Sequence, residues 1–174
     1  MNFDDYKLLL KKIDEKFKEI KTNNRTFINC ECECHDCCQP DLSVFFVERE
    51  HIKDFLLKNP NIVSQLRKLK KENPWKSKRC SLLNARGQCL VYEVRPVICR
   101  SHGAPVKHKT GESYSKDVCP KNFKDADLSK LEDSFFINID TLNTLLATIN
   151  RVFSETNSSF RFKLDIEELC DSAT

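Results

Sequence analysis

Five cysteines of this chain lie within nine residues, in the run Cys30-Glu-Cys32-Glu-Cys34-His-Asp-Cys37-Cys38. A chain with 10 cysteines in 174 residues must bind metal, form disulfides or bury its thiols. The N-terminal residues show no secretory leader, so we expect a cytoplasmic protein, and structural disulfides do not persist in the cytosol. Clustered cysteines in that compartment predict a metal site, and a disulfide scaffold is the alternative for an exported chain.

The spacing inside this cluster suits metal coordination. Cys34 and Cys37 form a Cys-x-x-Cys step, which lets both sulfurs face one ion at about 2.3 Å. The side chain of Cys38 leaves the backbone in another direction and so serves a second metal or a neighbouring thiol. Without Cys32 and Cys170, eight cysteines remain, enough for two four-thiolate sites or for one cluster and one single-metal site. Thiolates select zinc, iron–sulfur clusters or Cu(I).

Some cysteines and histidines have competing interpretations. Cys170 lies on the face of a predicted helix and is expected in the core, because cysteine is among the most buried residue types. Cys32, between two glutamates, is a free thiol, a redundant ligand or a true ligand. His35 is the best histidine candidate for a ligand, although we expect it to be a loop histidine beside the site and not a ligand. His102 is a weaker candidate for a ligand or proton donor.

A second cysteine group follows in Cys80-Ser-Leu-Leu and in Gly87-Gln-Cys89-Leu-Val-Tyr92-Glu-Val-Arg95-Pro96-Val-Ile-Cys99-Arg100. Taken with the first cluster, read as Cys-x₃-Cys-x₂-Cys-Cys, this pattern resembles the CxxxCxxCC family. These are the YkgJ-like zinc- or iron-chelating proteins of bacteria, and the resemblance covers about residues 30–120. It implies that the metal ligands are Cys30, Cys34, Cys37, Cys38, Cys80, Cys89, Cys99 and Cys119.

The charge distribution fits thiolate sites in the middle of the chain. Residues 61–110 carry a formal charge of +10, whereas residues 1–60 carry −2 and residues 111–174 carry −5. Each four-thiolate zinc site is formally −2, so nearby arginines can offset the charge and donate hydrogen bonds to the sulfurs. Arg95 and Arg100 are the candidates for this role beside the bound iron or zinc.

The apolar periodicity predicts a mostly α fold with a short β-hairpin, in a small metal-stabilised single domain with cysteine-rich loops. Helices are predicted over 3–21, over 48–56, from Pro60, over 141–153 and near 164–170. Other predicted elements are a strand at Val44–Val47, a hairpin over 80–91, a helical turn after Pro96 and a loop over 103–120. One domain, 1–174, would contain a metal-binding core at 30–120 flanked by N- and C-terminal helices.

Several function classes are excluded by the sequence. The chain has only three glycines and carries neither a P-loop nor a dinucleotide-binding fingerprint. The His-x-Glu and Pro-Cys-x-x-Cys signature of zinc deaminases is absent. The longest apolar run, Val44–Val47, is far too short to span a membrane.

Two function hypotheses remain, and a third is weaker. The first is a metal-binding module, structural or a store, that acts through a protein partner. The second is an iron–sulfur or metal-dependent redox or modification enzyme, which predicts an open metal position beside a pocket. The third is nucleic-acid binding by the basic stretch 67–79, with Trp75 stacking on a base.

Overall fold

The computed structural model describes residues 2–24, 27–30, 34–72, 74, 76, 78–124, 126–155 and 160–170. About half of the described residues are helical, and this confirms the predicted mostly α fold. Their α-helices are α1 (Asp4–Asn23), α2 (Phe46–Lys58), α3 (Pro60–Glu72), α4 (Val97–Ser101), α5 (Ile139–Ser154) and α6 (Ile166–Cys170). Their strands are β1 (Ser43–Phe45), β2 (Val106–Thr110), β3 (Ser113–Asp117), β4 (Ile137–Asn138) and β5 (Arg161–Lys163). None of the described helices combines the length and apolar character that a membrane crossing requires.

The backbone contacts divide the chain into two compact units. Unit 1 comprises Met1–Phe3, Cys32–Pro96 and Asn150–Thr174, and unit 2 comprises Asp4–Glu31 and Val97–Ile149. Each unit is therefore discontinuous in sequence, and the predicted core at 30–120 contributes residues to both. The organisation of the chain as one domain stays a prediction.

An apolar core holds unit 1 together. Helix α2 packs on α3, on α6 and on the sheet formed by β1 and β5, in which Ser43 lies opposite Lys163. Burial of each large aliphatic side chain contributes about 1.5–3 kcal/mol to stability, before chain entropy is counted. The side chains of this core that have no exposed surface are Val44, Val47, Ile52, Leu56, Leu66 and Leu169.

Strand β1 ends at Phe45, two residues before the predicted end at Val47, and α2 begins directly after it at Phe46. The Glu48 carboxylate accepts a hydrogen bond from the Phe45 amide at 2.8 Å. The Asn150 side chain accepts one from the Val47 amide at 3.0 Å. The first amides of a helix have no partner within it, so these two side chains stabilise a helix start at Phe46. The strand predicted at Val44–Val47 is therefore corrected to Ser43–Phe45.

Unit 2 combines helix packing with a three-stranded sheet in the order β3-β2-β4. Helix α1 buries Tyr6, Leu10 and Ile13 on one face, as the apolar periodicity predicts. Helix α4 packs on α1, and Arg100 of α4 forms an ion pair with Asp14 of α1. The predicted helical turn after Pro96 is confirmed as α4.

The hairpin predicted over 80–91 is reduced to a single bridge between Leu83 and Cys89. The amide of Leu83 donates to the Cys80 carbonyl at 3.2 Å, so residues 80–83 form a turn. Beyond the bridge the chain enters a 3-10 turn at Tyr92. The predicted longer hairpin is therefore wrong, because turns at residues 81–82 and 90–91 replace extended strands beside the bridge.

The loop predicted over 103–120 is also wrong, because it contains the hairpin of β2 and β3. Val106 pairs with Asp117, and Thr110 pairs with Ser113. Most side chains of both strands are polar, and six of the ten are exposed. The alternation of apolar and polar residues that identifies a half-buried strand is therefore absent from this segment.

Candidate metal centre

The first cysteine group of unit 1 forms a tight turn. The amide of Cys38 donates to the His35 carbonyl at 3.0 Å, and the amide of Gln39 donates to the Cys37 carbonyl at 3.0 Å. The thiols of Cys37 and Cys38 are hydrogen-bonded to each other, and this bond, with burial, raises the pKa of Cys37 far above its ordinary value. Two sulfur donors therefore lie side by side.

The second cysteine segment is attached to this turn by backbone and side-chain contacts. The amide of Cys80 donates to the Cys38 carbonyl at 3.0 Å. The guanidinium of Arg79 donates to the Asp36 carbonyl at 2.9 Å and lies 3.5 Å from the Asp36 carboxylate. These contacts hold the backbone of Cys80 against that of Cys38.

Cys80 is buried and Cys89 is partly buried, and both sulfurs accept backbone hydrogen bonds. Burial raises the pKa of Cys80 to about 11 and also raises that of Cys89. The amide of Leu82 donates a hydrogen bond to Cys80, and the amide of Val91 donates one to Cys89. Each bond partly offsets the increase in pKa that burial causes. Both amides lie two residues after their cysteine. Amide donors of this kind stabilise a metal-bound thiolate, because they satisfy its remaining lone pairs.

The two arginines singled out by sequence occupy different surroundings. The charge of Arg95 lowers the pKa of Cys89, and its guanidinium stacks on the Tyr92 ring at 3.7 Å from the ring centre. Arg100 belongs to unit 2, where it pairs with Asp14. Arg95 therefore acts on a sulfur of unit 1, whereas Arg100 links two helices of unit 2.

His35 packs on the turn that precedes Cys89. A Cβ atom placed on Gly87 would lie 2.6 Å from Nδ1 of His35, so only glycine leaves room for the ring. Gly87 also has a φ of +80°, which favours glycine. The Asn84 side chain closes the turn by accepting from the amides of Arg86 and Gln88 at 2.9 and 3.0 Å.

In unit 2, Asn122 holds Cys30 in place. The Asn122 amide nitrogen donates to the Gly103 carbonyl at 2.6 Å and lies 3.6 Å from the sulfur of Cys30. Its oxygen accepts from the Asn29 amide at 2.8 Å. The backbone amide of Asn122 donates to the Cys119 carbonyl at 2.8 Å. One buried side chain therefore connects the loops that carry Cys30 and Cys119.

Gly103 brings the segment after α4 close to the sulfur of Cys30. Its φ is +93°, and a Cβ atom there would lie 2.5 Å from the sulfur of Cys30. Cys99 lies four residues earlier, in α4, and is partly exposed, as are Cys30 and Cys119. Three of the predicted ligands therefore belong to unit 2, and the other five belong to unit 1.

The described part of the chain does not contain a closed metal cage. Within it, no three His, Cys, Asp or Glu side chains already converge as a metal site, and no disulfide joins any of its nine cysteines. Cys170 is 1% exposed in α6, so its predicted core position is confirmed. His102 is exposed after α4, and Cys32 lies outside the described residues. The ligand set stays a prediction.

The basic stretch 67–79 is partly ion-paired. Lys68 lies 3.6 Å from Glu72, and Lys70 lies 3.1 Å from Glu167. Trp75, predicted to stack on a base, lies outside the described residues. Nucleic-acid binding by this stretch stays a prediction.

The segment that carries both cysteine groups matches a family model. Residues 29–120, just over half of the chain, match CxxCxxCC, which is described as a "Putative zinc- or iron-chelating domain". The chain belongs to this family. The predicted resemblance is thereby confirmed, and the matched CxxCxxCC segment contains every predicted ligand from Cys30 to Cys119. A search of curated proteins and a search of solved structures each found no match.

The side chains of the CxxCxxCC segment fit a soft metal ion. Its candidate donors are sulfur atoms. Zinc and iron–sulfur clusters bind thiolate ligands, whereas magnesium and calcium bind oxygen ligands. Burial favours the neutral thiols of Cys80 and Cys89, and a coordinated cation reverses this preference by stabilising the thiolates. The residues are therefore chemically suited to the zinc or iron that the family description names.

Sequence analysis missed Gly103 and Asn122 as residues that position Cys30. Each follows a predicted ligand closely, Gly103 four residues after Cys99 and Asn122 three residues after Cys119. A glycine after a short helix indicates a left-handed C-terminal residue. The hydrogen bonds of Asn122 have no sequence signal, because all three partners of its side chain lie far away in the chain.

We expect Asn122→Ala to lower the free energy of unfolding by about 2–4 kcal/mol, because it leaves the Gly103 carbonyl and the Asn29 amide without their partner. Chemical denaturation measures the change. Asn29→Ala is the matched control, since it removes one exposed hydrogen bond to the Lys121 carbonyl and should cost under about 1 kcal/mol. Equal losses in the two variants would contradict the central role of Asn122.

Proposed function

We propose that this CxxCxxCC protein binds iron or zinc through two groups of thiolates, one in each compact unit. The unit 1 group comprises Cys34, Cys37, Cys38, Cys80 and Cys89, and the unit 2 group comprises Cys30, Cys99 and Cys119. The observation that carries the proposal is the arrangement in unit 1. There, a pair of adjacent thiols is joined by a backbone hydrogen bond to a segment with two further sulfurs, one buried and one partly buried.

For unit 1 we favour an iron–sulfur cluster, with zinc as the alternative. A cluster takes four cysteine thiolates, and this unit supplies five candidates. Backbone amides and the charge of Arg95 act on the sulfurs of Cys80 and Cys89, which are the influences that tune cluster potentials. When bound, an iron–sulfur cluster would supply one-electron transfer, whereas zinc would stabilise the fold.

The unit 2 group supports a second candidate function. Four thiolates close a metal site, and a closed site suits a structural or storage role with a protein partner. Unit 2 offers only three cysteines, so a metal there would keep one position for another ligand or a substrate. This favours a metal-dependent redox or modification enzyme as the second candidate.

The deciding experiment is anaerobic purification followed by visible spectroscopy and quantification of iron, zinc and acid-labile sulfide. A brown protein with matching iron and sulfide supports the iron–sulfur cluster. A colourless protein with zinc and no sulfide supports the closed structural site. A protein that takes up neither metal under reconstitution overturns the proposal.

Cysteine variants test the assignment to two groups. We expect Cys80→Ser to remove the metal of unit 1 and to leave that of unit 2, and Cys30→Ser to do the reverse. Each variant should therefore lose part of the bound metal, as measured by elemental analysis of the purified protein. Cys170→Ala is the control, because this buried cysteine belongs to neither group. Complete metal loss in both serine variants would mean that the cysteines form one centre.

A further inference from the structure

We propose that a cavity in unit 1 binds a small zwitterion, an α-amino acid with an apolar side chain. The cavity has a volume of about 370 Å³, which is within the range of small-molecule sites. All its lining residues belong to unit 1, and they come from the loop after the first cysteine group, from α3, from the Cys80 segment and from β5 and α6. This site goes beyond metal binding, because none of its lining residues is a predicted ligand.

The lining of the cavity carries both signs of charge. Lys70 and Lys163 provide ammonium groups, and Asp165 and Glu167 provide carboxylates. A zwitterion presents one carboxylate and one ammonium group, so each end of the ligand meets a side chain of opposite charge. Ligands with a single charged group would leave one side of this lining unmatched.

The existing ion pairs of the lining can be exchanged for a ligand at small cost. Lys70 lies 3.1 Å from Glu167, with side chains 45% and 71% exposed. Lys163 lies 3.7 Å from Asp165 and 3.9 Å from Asp41, another lining carboxylate, and these side chains are 60%, 23% and 85% exposed. Ion pairs this exposed contribute about 0–1 kcal/mol, so a bound zwitterion that replaces them loses little.

Part of the remaining lining is apolar and suits an aliphatic side chain. Leu69, Leu83 and Ile166 line the cavity and are each at least 92% buried in the folded chain. Arg79 and Ser81, which flank the predicted ligand Cys80, also line it. An amino acid bound here would therefore lie beside the second cysteine segment.

The test is binding of three related probes to the purified full chain with its metal, by saturation-transfer NMR and calorimetry. The probes are L-leucine, N-acetyl-L-leucine, which lacks the ammonium group, and L-leucinamide, which lacks the carboxylate. We expect L-leucine to bind about tenfold more tightly than either analogue, because each analogue loses one charge-assisted contact. Equal binding of the three probes, or no binding of leucine at millimolar concentration, would overturn the proposal.

Variants locate the binding in the cavity. Lys70→Gln and Glu167→Gln should each weaken leucine binding about tenfold. Lys68→Gln is the matched control, because Lys68 also lies in α3 and pairs with a glutamate but does not line the cavity. Leucine affinity that is unchanged in the two cavity variants, or equally reduced in the control, counts against the site. Metal content and circular dichroism of every variant are measured separately, so failure of the metal proposal is distinguishable from failure of this one.

Discussion

Metal-free protein, refolded anaerobically with a chelator, is expected to melt about 10 °C or more below the metal-bound protein. The predicted ligands occur in separate segments of each unit, so metal binding contributes free energy only to the folded state. The hydrogen bond with Cys38 and partial burial raise the pKa of Cys37, and burial raises those of Cys80 and Cys89, so these thiols favour protonation when no cation is present. Differential scanning calorimetry of the two forms measures the difference.

The loss of stability in the metal-free protein should be concentrated in the segments that carry the cysteines. Hydrogen exchange is expected to accelerate at residues 34–38 and 84–90, which contribute no buried apolar side chain to hold them in place when the metal is absent. Helices α2 and α3 should keep more protection, because Val47, Ile52 and Leu66 form an aliphatic core. An identical melting curve and an identical circular dichroism spectrum after complete metal removal would disprove this dependence.

Gly103→Ala is expected to destabilise the protein by about 2–5 kcal/mol and to remove the metal of unit 2. The φ of +93° costs an alanine about 1–2 kcal/mol. The new Cβ atom would lie 2.5 Å from the sulfur of Cys30, so either this sulfur or the backbone must move, at about 1–3 kcal/mol. Chemical denaturation and metal analysis report the two effects.

Gly111→Ala separates backbone strain from the displacement of Cys30. Gly111 has a φ of +62°, but no atom lies within 4 Å of a Cβ placed there. This control should therefore cost only about 1–2 kcal/mol and should keep all bound metal. If both alanine variants retain the same amount of metal, the close approach of Gly103 to Cys30 has no role in metal binding.

The helices were predictable because their signals are local. Helix α1 shows its buried face in the spacing of Tyr6, Leu10 and Ile13, and Pro60 begins α3 as a proline at a first helical position should. The family could also be predicted, since its pattern depends on residue identity and spacing alone. These features need no knowledge of which distant residues come together.

The parts that sequence analysis missed depend on distant partners or on polar surfaces. Strand β5 consists of three residues, and it is defined only by its pairing with β1. The hairpin of β2 and β3 carries mostly lysines and serines, whereas a half-buried strand would alternate apolar and polar residues. The position of Cys30 depends on Asn122, which lies 92 residues away in the chain. Local periodicity carries no information on such contacts.

The pairing of Ser43 with Lys163 has a consequence for synthesis of the protein. On the ribosome, the first cysteine group emerges before the strand that completes the sheet of its own unit. Translation at about 5–20 residues per second leaves an interval of roughly 6–24 s between the two. During that interval the nascent chain displays reactive thiols without their folded surroundings. These thiols must therefore be kept reduced until the sheet of unit 1 is complete.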